Sequence, residues 1–110
     1  MSLDKSLISE AFQTFSTEAP EHAKAWMTLV QSLSEASSLD SKARELSFLA
    51  VLAALGRTNG IPFHVKSALD KGASRDEIIS AILVGLPAAG HIVTQSLPAA
   101  IQILDLHQNQ

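Results

Sequence analysis

Between Leu46 and Leu55 the chain reads LSFLAVLAAL, and Ser47 is the one residue of the ten that is not apolar. The segment lacks the alternation of a half-exposed strand, and it is rich in Ala and Leu, the stronger helix formers. A helix that is apolar on every side must be covered on every side. In a chain of 110 residues, neighbouring helices supply only part of that cover. The segment therefore predicts contacts between subunits as well as within one. Composition points the same way: 46% of residues are hydrophobic and 17% charged, against about 25% charged in an ordinary soluble domain. An Ala- and Ser-rich monomer is the other arrangement this composition allows.

The rest of the sequence carries no strand pattern either, and residues 1–110 read as a single all-α domain of about six helices. Leu7, Ile8, Ala11, Phe12 and Phe15 fall at three-four spacing and predict a first helix over Leu3–Phe15. Pro20 suits the first turn of a second helix, where its missing N–H costs nothing. That helix runs to about Glu35, with Ala23, Trp26, Met27, Val30 and Leu33 on its buried face. Asp40 is placed to cap the third, apolar helix. A fourth spans Ile61 to Lys71 and stops at Gly72. Ser74-Arg75-Asp76-Glu77 reads as a capping box, opening a fifth helix through Ile78, Ile79, Ile82, Leu83 and Leu86 that Pro87 ends or kinks. Ala88–Thr94 and Pro98–Leu106 complete the set with a break at Pro98, before a frayed HQNQ tail. The tetrapeptide LPAA occurs twice, eleven residues apart, too short a unit to mark a solenoid.

Net charge is −3 and the eight basic residues are scattered, so no footprint for nucleic acid is expected. Without cysteine the chain has no disulfide, thiolate or zinc-knuckle chemistry. The longest strictly apolar run, Phe48–Leu55, is far shorter than the roughly 20 residues that span a bilayer, and the N-terminus lacks a signal-peptide pattern. A cytosolic protein with no membrane partner is expected. The chemistry on offer centres on Glu45, at the head of the apolar helix, and His64, nineteen residues on. Desolvation there would raise the carboxyl pKa into the range of a general acid or base, and a nearby imidazole could exchange protons with it. The same two residues also fit plain structural roles, a first-turn glutamate on the helix dipole and a boundary histidine. Arg57, directly after Gly56, is placed either to clamp a carboxylate or to meet the last carbonyls of the third helix. His91, after Gly90, lies between two prolines and either lines a cleft or bounds a helix. No two histidines are four apart and no H-E-x-x-H occurs, so neither a metal site nor a cofactor is predicted.

The stretch LDSKARELSFLAVLAALGRTNGIPFHVKSALDKGASRDEIISAIL resembles the carboxymuconolactone decarboxylase / alkylhydroperoxidase D family. The strongest marks are Leu39-Asp40, Lys42, Arg44-Glu45-Leu46, His64, Ala68-Leu69, Gly72 and Glu77-Ile78, and AFQTFSTEAPEHAKAWMTLVQ looks like the family's two leading helices. The resemblance implies small all-α subunits assembled as trimers or hexamers. In the peroxidase branch a glutamate, a Cys-x-x-Cys pair and a histidine form a relay. Glu45 and His64 match its ends, but the cysteine positions fall on Arg57 and Gly60, which removes the thiol chemistry. The cysteine-free decarboxylase branch is the better match. It implies cofactor-free decarboxylation of a carboxylated lactone, with Arg57 holding a carboxylate, His64 delivering a proton and Glu45 orienting it. A non-catalytic assembly or ligand-binding module on the same fold is the alternative. Where the decarboxylases carry a Trp/Arg motif before Leu-Asp this chain has SEASS. It has no tyrosine, and Gly90-His91-Ile92 stands in place of their Gly-x-Pro, so His91 would supply a different polar group to the pocket.

Overall fold

A computed structural model describes residues 7–108, which hold α- and 3-10 helices and no strand. The chain divides into two compact units, residues 1–40 and 41–110.

In the first unit, α1 (Glu10–Glu18) and α2 (Pro20–Ala36) form a helical hairpin joined at Ala19. The start of α1 is set by Ser9, whose hydroxyl accepts the Phe12 N–H at 3.1 Å. The helix therefore begins at Glu10 and runs on to Glu18. Leu7 and Ile8 precede it, and the predicted start at Leu3 lies outside the described residues. Phe12 and Phe15 meet edge to face, with centroids 5.9 Å apart. Pro20 opens α2 as expected. The predicted buried stripe of α2 is mostly not buried: Ala23 is, while Trp26, Met27, Val30 and Leu33 are exposed.

The second unit is built around α3 (Ser41–Leu55), which packs against α4 (Ile61–Asp70), α5 (Arg75–Leu83) and a 3-10 segment at Gly90–Ser96. Between the last two lies α6 (Leu86–Ala89), and α7 (Leu97–Gln108) closes on α4. Leu49 and Ala53 of α3, Ile61, Val65 and Ala68 of α4, Ile78 and Ile82 of α5, Val93, and Ala100 and Leu104 of α7 make one core. Within each helix these positions recur at three- or four-residue spacing, which puts them on one face. The apolar α3 is covered on that face and partly covered at Leu46, Leu52 and Ala54; Phe48, Val51 and Leu55 are exposed.

Two glycines terminate helices in the same way. At the end of α3, Arg57 N–H bonds Leu52 C=O and Gly56 N–H bonds Ala53 C=O. At the end of α4, Ala73 N–H bonds Ala68 C=O and Gly72 N–H bonds Leu69 C=O. This is the Schellman pattern, and it needs a left-handed residue, supplied by Gly56 at φ 70° and Gly72 at φ 93°. The capping box forms as predicted, Ser74 and Glu77 each bonding the other's backbone N–H.

Beyond α5 the sequence pattern and the backbone diverge. The fifth helix stops at Leu83 rather than Leu86, and both prolines sit near helix starts: Pro87 in the first turn of α6 and Pro98 in that of α7. Pro98 thus begins a helix instead of breaking one, because a first-turn N–H has no partner to lose. By length and by the mean hydropathy of its most apolar window (1.6), the run Arg75–Gln108 could cross a membrane. Its backbone is interrupted at 84–85 and by the 3-10 segment, leaving α7, at 12 residues, as its longest regular helix. Twelve residues extend about 18 Å, short of a bilayer core of about 30 Å.

Candidate functional site

Glu45 lies on the second turn of α3 and His64 on the first turn of α4, and the packing of these helices brings the two side chains into contact. Nδ1 of His64 lies 2.7 Å from Oε2 of Glu45. The Glu45 residue is 8% exposed, a buried acid in an otherwise apolar core face. Its second oxygen, Oε1, faces Lys71 Nζ at 3.6 Å. The Ser67 hydroxyl accepts a hydrogen bond from Lys71 Nζ at 2.8 Å and helps to lower the Glu45 carboxyl pKa. His64, Ser67 and Lys71 are spaced i, i+3 and i+7, so α4 and its C-terminal cap present them along one face.

Two aromatic rings border the imidazole. Phe48, one turn along α3 from Glu45, lies 5.4 Å from it between centroids, and Phe63 lies 5.1 Å away nearly at right angles. They shield part of the ring while leaving the His64 side chain about a quarter exposed.

The electrostatics reverse one expectation from the sequence. Burial does push the Glu45 carboxyl pKa up and is the largest single influence. The hydrogen bond and charge of His64, the charge of Lys71 and the Ser67 hydrogen bond together outweigh it, and the pKa ends below the ordinary carboxylate value. Glu45 is accordingly an ionised acceptor near neutral pH, not a proton donor. A charge-assisted bond of this length is the strong kind.

Of the four residues singled out in the sequence, the structure brings two together. Arg57 is exposed at the end of α3, where its backbone N–H, not its side chain, meets a carbonyl of that helix. His91 is exposed in the 3-10 segment, its carbonyl accepting from the Thr94 hydroxyl at 2.8 Å. Their loops adjoin, since a Cβ on Gly56 would sit 3.0 Å from Ile92 Cδ1. Neither side chain bonds Glu45 or His64 among the described residues. The sequence reading missed Lys71 and Ser67. Their signal was the helical spacing from His64, legible once His64 is assigned to the face turned toward Glu45.

Beside the dyad, an open groove on the α3–α5 face is lined by Leu46, Ser47, Ala50, Ser80, Ala81 and Val84, with Asp76 and Glu77 at its edge. Lys42 closes on Glu77 there at 2.8 Å. Neither Glu45 nor His64 lines this groove.

Comparison with known proteins bears on this arrangement. The carboxymuconolactone decarboxylase family matches residues 20–102, from the start of α2 into α7. No curated protein and no solved structure matches the chain. With most of its length matched, the chain belongs to the carboxymuconolactone decarboxylase family.

Proposed function

We propose that this chain is a cysteine-free decarboxylase-like member of its family, performing cofactor-free acid–base chemistry on a small carboxylate or lactone. The observation that carries the reading is the 2.7 Å contact between an ionised, buried Glu45 and the part-exposed imidazole of His64. An Asp or Glu on one ring nitrogen holds the tautomer and leaves the other nitrogen to exchange a proton with a ligand. In decarboxylation the C–CO2 bond breaks and its electron pair spreads into the unsaturated lactone as an enolate. His64 then gives a proton from Nε2 to carbon and is reprotonated from water. Arg57 and His91, on adjoining loops, are the groups we assign to the substrate's carboxylates. Thiol-peroxidase chemistry has no nucleophile here, since the chain contains no cysteine.

We further propose that the working form is a homo-oligomer, a trimer or hexamer, in a cytosolic setting. The exposure of Phe48, Val51 and Leu55 on α3 and of Val84 after α5 supports this. Subunit contact on these surfaces would also add walls to a dyad that one chain leaves open.

The test is turnover of 4-carboxymuconolactone by the wild type, His64→Ala and Glu45→Gln. Loss of a positioned acid–base group costs about 100- to 10,000-fold, so His64→Ala should fall by at least the lower figure. Equal activity in wild type and His64→Ala removes the imidazole from the mechanism. A second reading, a non-catalytic assembly or small-ligand binder, is favoured by the open groove on the α3–α5 face, which holds neither member of the dyad. It predicts saturable binding of small carboxylates by calorimetry with no product.

A further inference from the structure

Glu45 makes contacts with both of its oxygens, and only one of them goes to His64. The other faces the Lys71 cation, which also donates to the Ser67 hydroxyl at 2.8 Å, and both residues lower the Glu45 pKa. Ser67 Oγ accepts from Lys71 Nζ, which leaves its single proton free to turn toward the Glu45 carboxylate. Three other cations of the second unit have acidic partners of their own. Lys42, one turn before Glu45, pairs with Glu77 of α5 at 2.8 Å; Lys66 pairs with Asp70 at 2.7 Å; Arg75 pairs with Asp105 of α7 at 2.9 Å. Lys71 Nζ lies 3.6 Å from Glu45 Oε1, a cation set against the carboxylate on the side away from His64.

We propose that Lys71 and Ser67 are positioning residues that fix the Glu45 carboxylate, so that His64 carries its ring proton on Nδ1 and exchanges protons through Nε2 alone. This rests on the reading of the dyad as an acid–base centre, and it adds what orients that centre. A carboxylate is an acceptor only, whereas a carboxylic acid also donates. Were Glu45 to take up a proton, it would donate to Nδ1 and place the ring proton on Nε2, the reverse of what proton exchange at the open side of the ring requires. Were the carboxylate free to rotate, either tautomer would serve. The Lys71–Ser67 brace opposes both: its positive charge disfavours the protonated acid, and its contacts hold the carboxylate with Oε2 aimed at Nδ1. Neither residue touches a ligand in this scheme, and both act through Glu45.

The readout needs no substrate. In protein labelled with nitrogen-15 on histidine and carbon-13 on glutamate, imidazole nitrogen shifts at about pH 9, where a free imidazole is neutral, report the tautomer of His64, and carboxyl shifts report the ionisation of Glu45. Wild type should show His64 in the Nδ1–H form. Lys71→Met combined with Ser67→Ala should give a mixture with a large Nε2–H share, and Lys71→Met alone should move the Glu45 midpoint upward. Lys71→Arg should restore both values, since it keeps the charge. Neither side chain is buried or part of the core, so unchanged far-ultraviolet circular dichroism is expected throughout. An unchanged tautomer and an unchanged Glu45 midpoint in the double variant would overturn the proposal. Because no turnover is measured, failure of the lactone assay leaves this result standing and removes only the substrate assignment.

Discussion

Truncating Glu45 and His64 to alanine, singly and together, converts their contact into a free energy. An ionised carboxylate binds a polar partner several-fold more strongly at an effective dielectric of about 20 than in bulk water. The Glu45 side chain is 11% exposed and that of His64 26%, which places the pair between those limits. Hydrogen bonds to charged groups contribute about 1.5–3 kcal/mol, and the partial exposure of the ring argues for the lower half of that range. A coupling of about 1.5–2 kcal/mol is expected from urea unfolding of the four proteins at fixed concentration and pH 7. Loss of the ring contacts with Phe48 and Phe63 cancels from the cycle, as does loss of the Lys71 contact, because each also occurs in a single variant. The pH dependence has a definite sign. Glu45 holds its proton less tightly folded than unfolded, so its stabilisation is complete above the unfolded carboxyl pKa and fades as pH falls through the folded value. The coupling should therefore shrink in acid below the ordinary carboxylate range. A coupling under about 0.5 kcal/mol at pH 7, the level of an exposed surface pair, would refute the dyad as a structural unit.

Other outcomes follow from the packing. Leu49→Ala, at a fully buried position of α3, should destabilise by about 2–5 kcal/mol, while Val51→Ala on the exposed side should cost under about 1 kcal/mol; both are read from urea midpoints. Gly72→Ala should cost about 1 kcal/mol from backbone strain alone, because a Cβ there meets nothing within 4 Å. Gly56→Ala should cost more, because its Cβ would also press on Ile92; thermal unfolding ranks the two. If α3 carries a subunit interface, Val51→Glu with Leu55→Glu should shift the sedimentation coefficient toward that of a monomer without loss of helicity.

How far the sequence reveals this molecule depends on the range of the interaction. The capping box at Ser74–Glu77, the glycine stop at Gly72 and the proline start of α2 are local devices, and each is legible from a few neighbouring residues. The apolar spacing of the first helix continues back through Leu7 and Ile8 and so places its start too early, while the cap at Ser9 overrides that spacing with one hydrogen bond. The stripe of α2 is apolar as the sequence indicates, yet mostly uncovered, since periodicity reports which residues share a face and not what covers it. At the candidate site, residue type and spacing are enough to find Glu45 and His64. They give the ionisation of Glu45 with the wrong sign, because burial is visible in the sequence, while the contact with His64 and the charge of Lys71 that outweigh it are not.

That reversal decides which group moves the proton. A glutamate raised toward neutral pH can serve as acid and base by turns, and the histidine is then an accessory. A glutamate held ionised by His64, Lys71 and Ser67 donates nothing near neutral pH, so in the proposed chemistry the imidazole carries the proton to the ligand. The absence of sulfur tightens this assignment. The resemblance to the family sets one cysteine position of its thiol-dependent branch on Gly60. Here a Cβ at residue 60 would lie 3.9 Å from His64 Cδ2 and 3.1 Å from Leu52 Cδ1. Position 60 thus borders both Leu52 and the imidazole. The pair lies beside a position with no side chain to activate, which accords with the proposed proton transfer. Gly60→Cys tests the point directly: a thiol set against His64 should react with an alkylating reagent faster than free cysteine at pH 7, and reactivity no greater than free cysteine would mean that residue 60 does not face the ring.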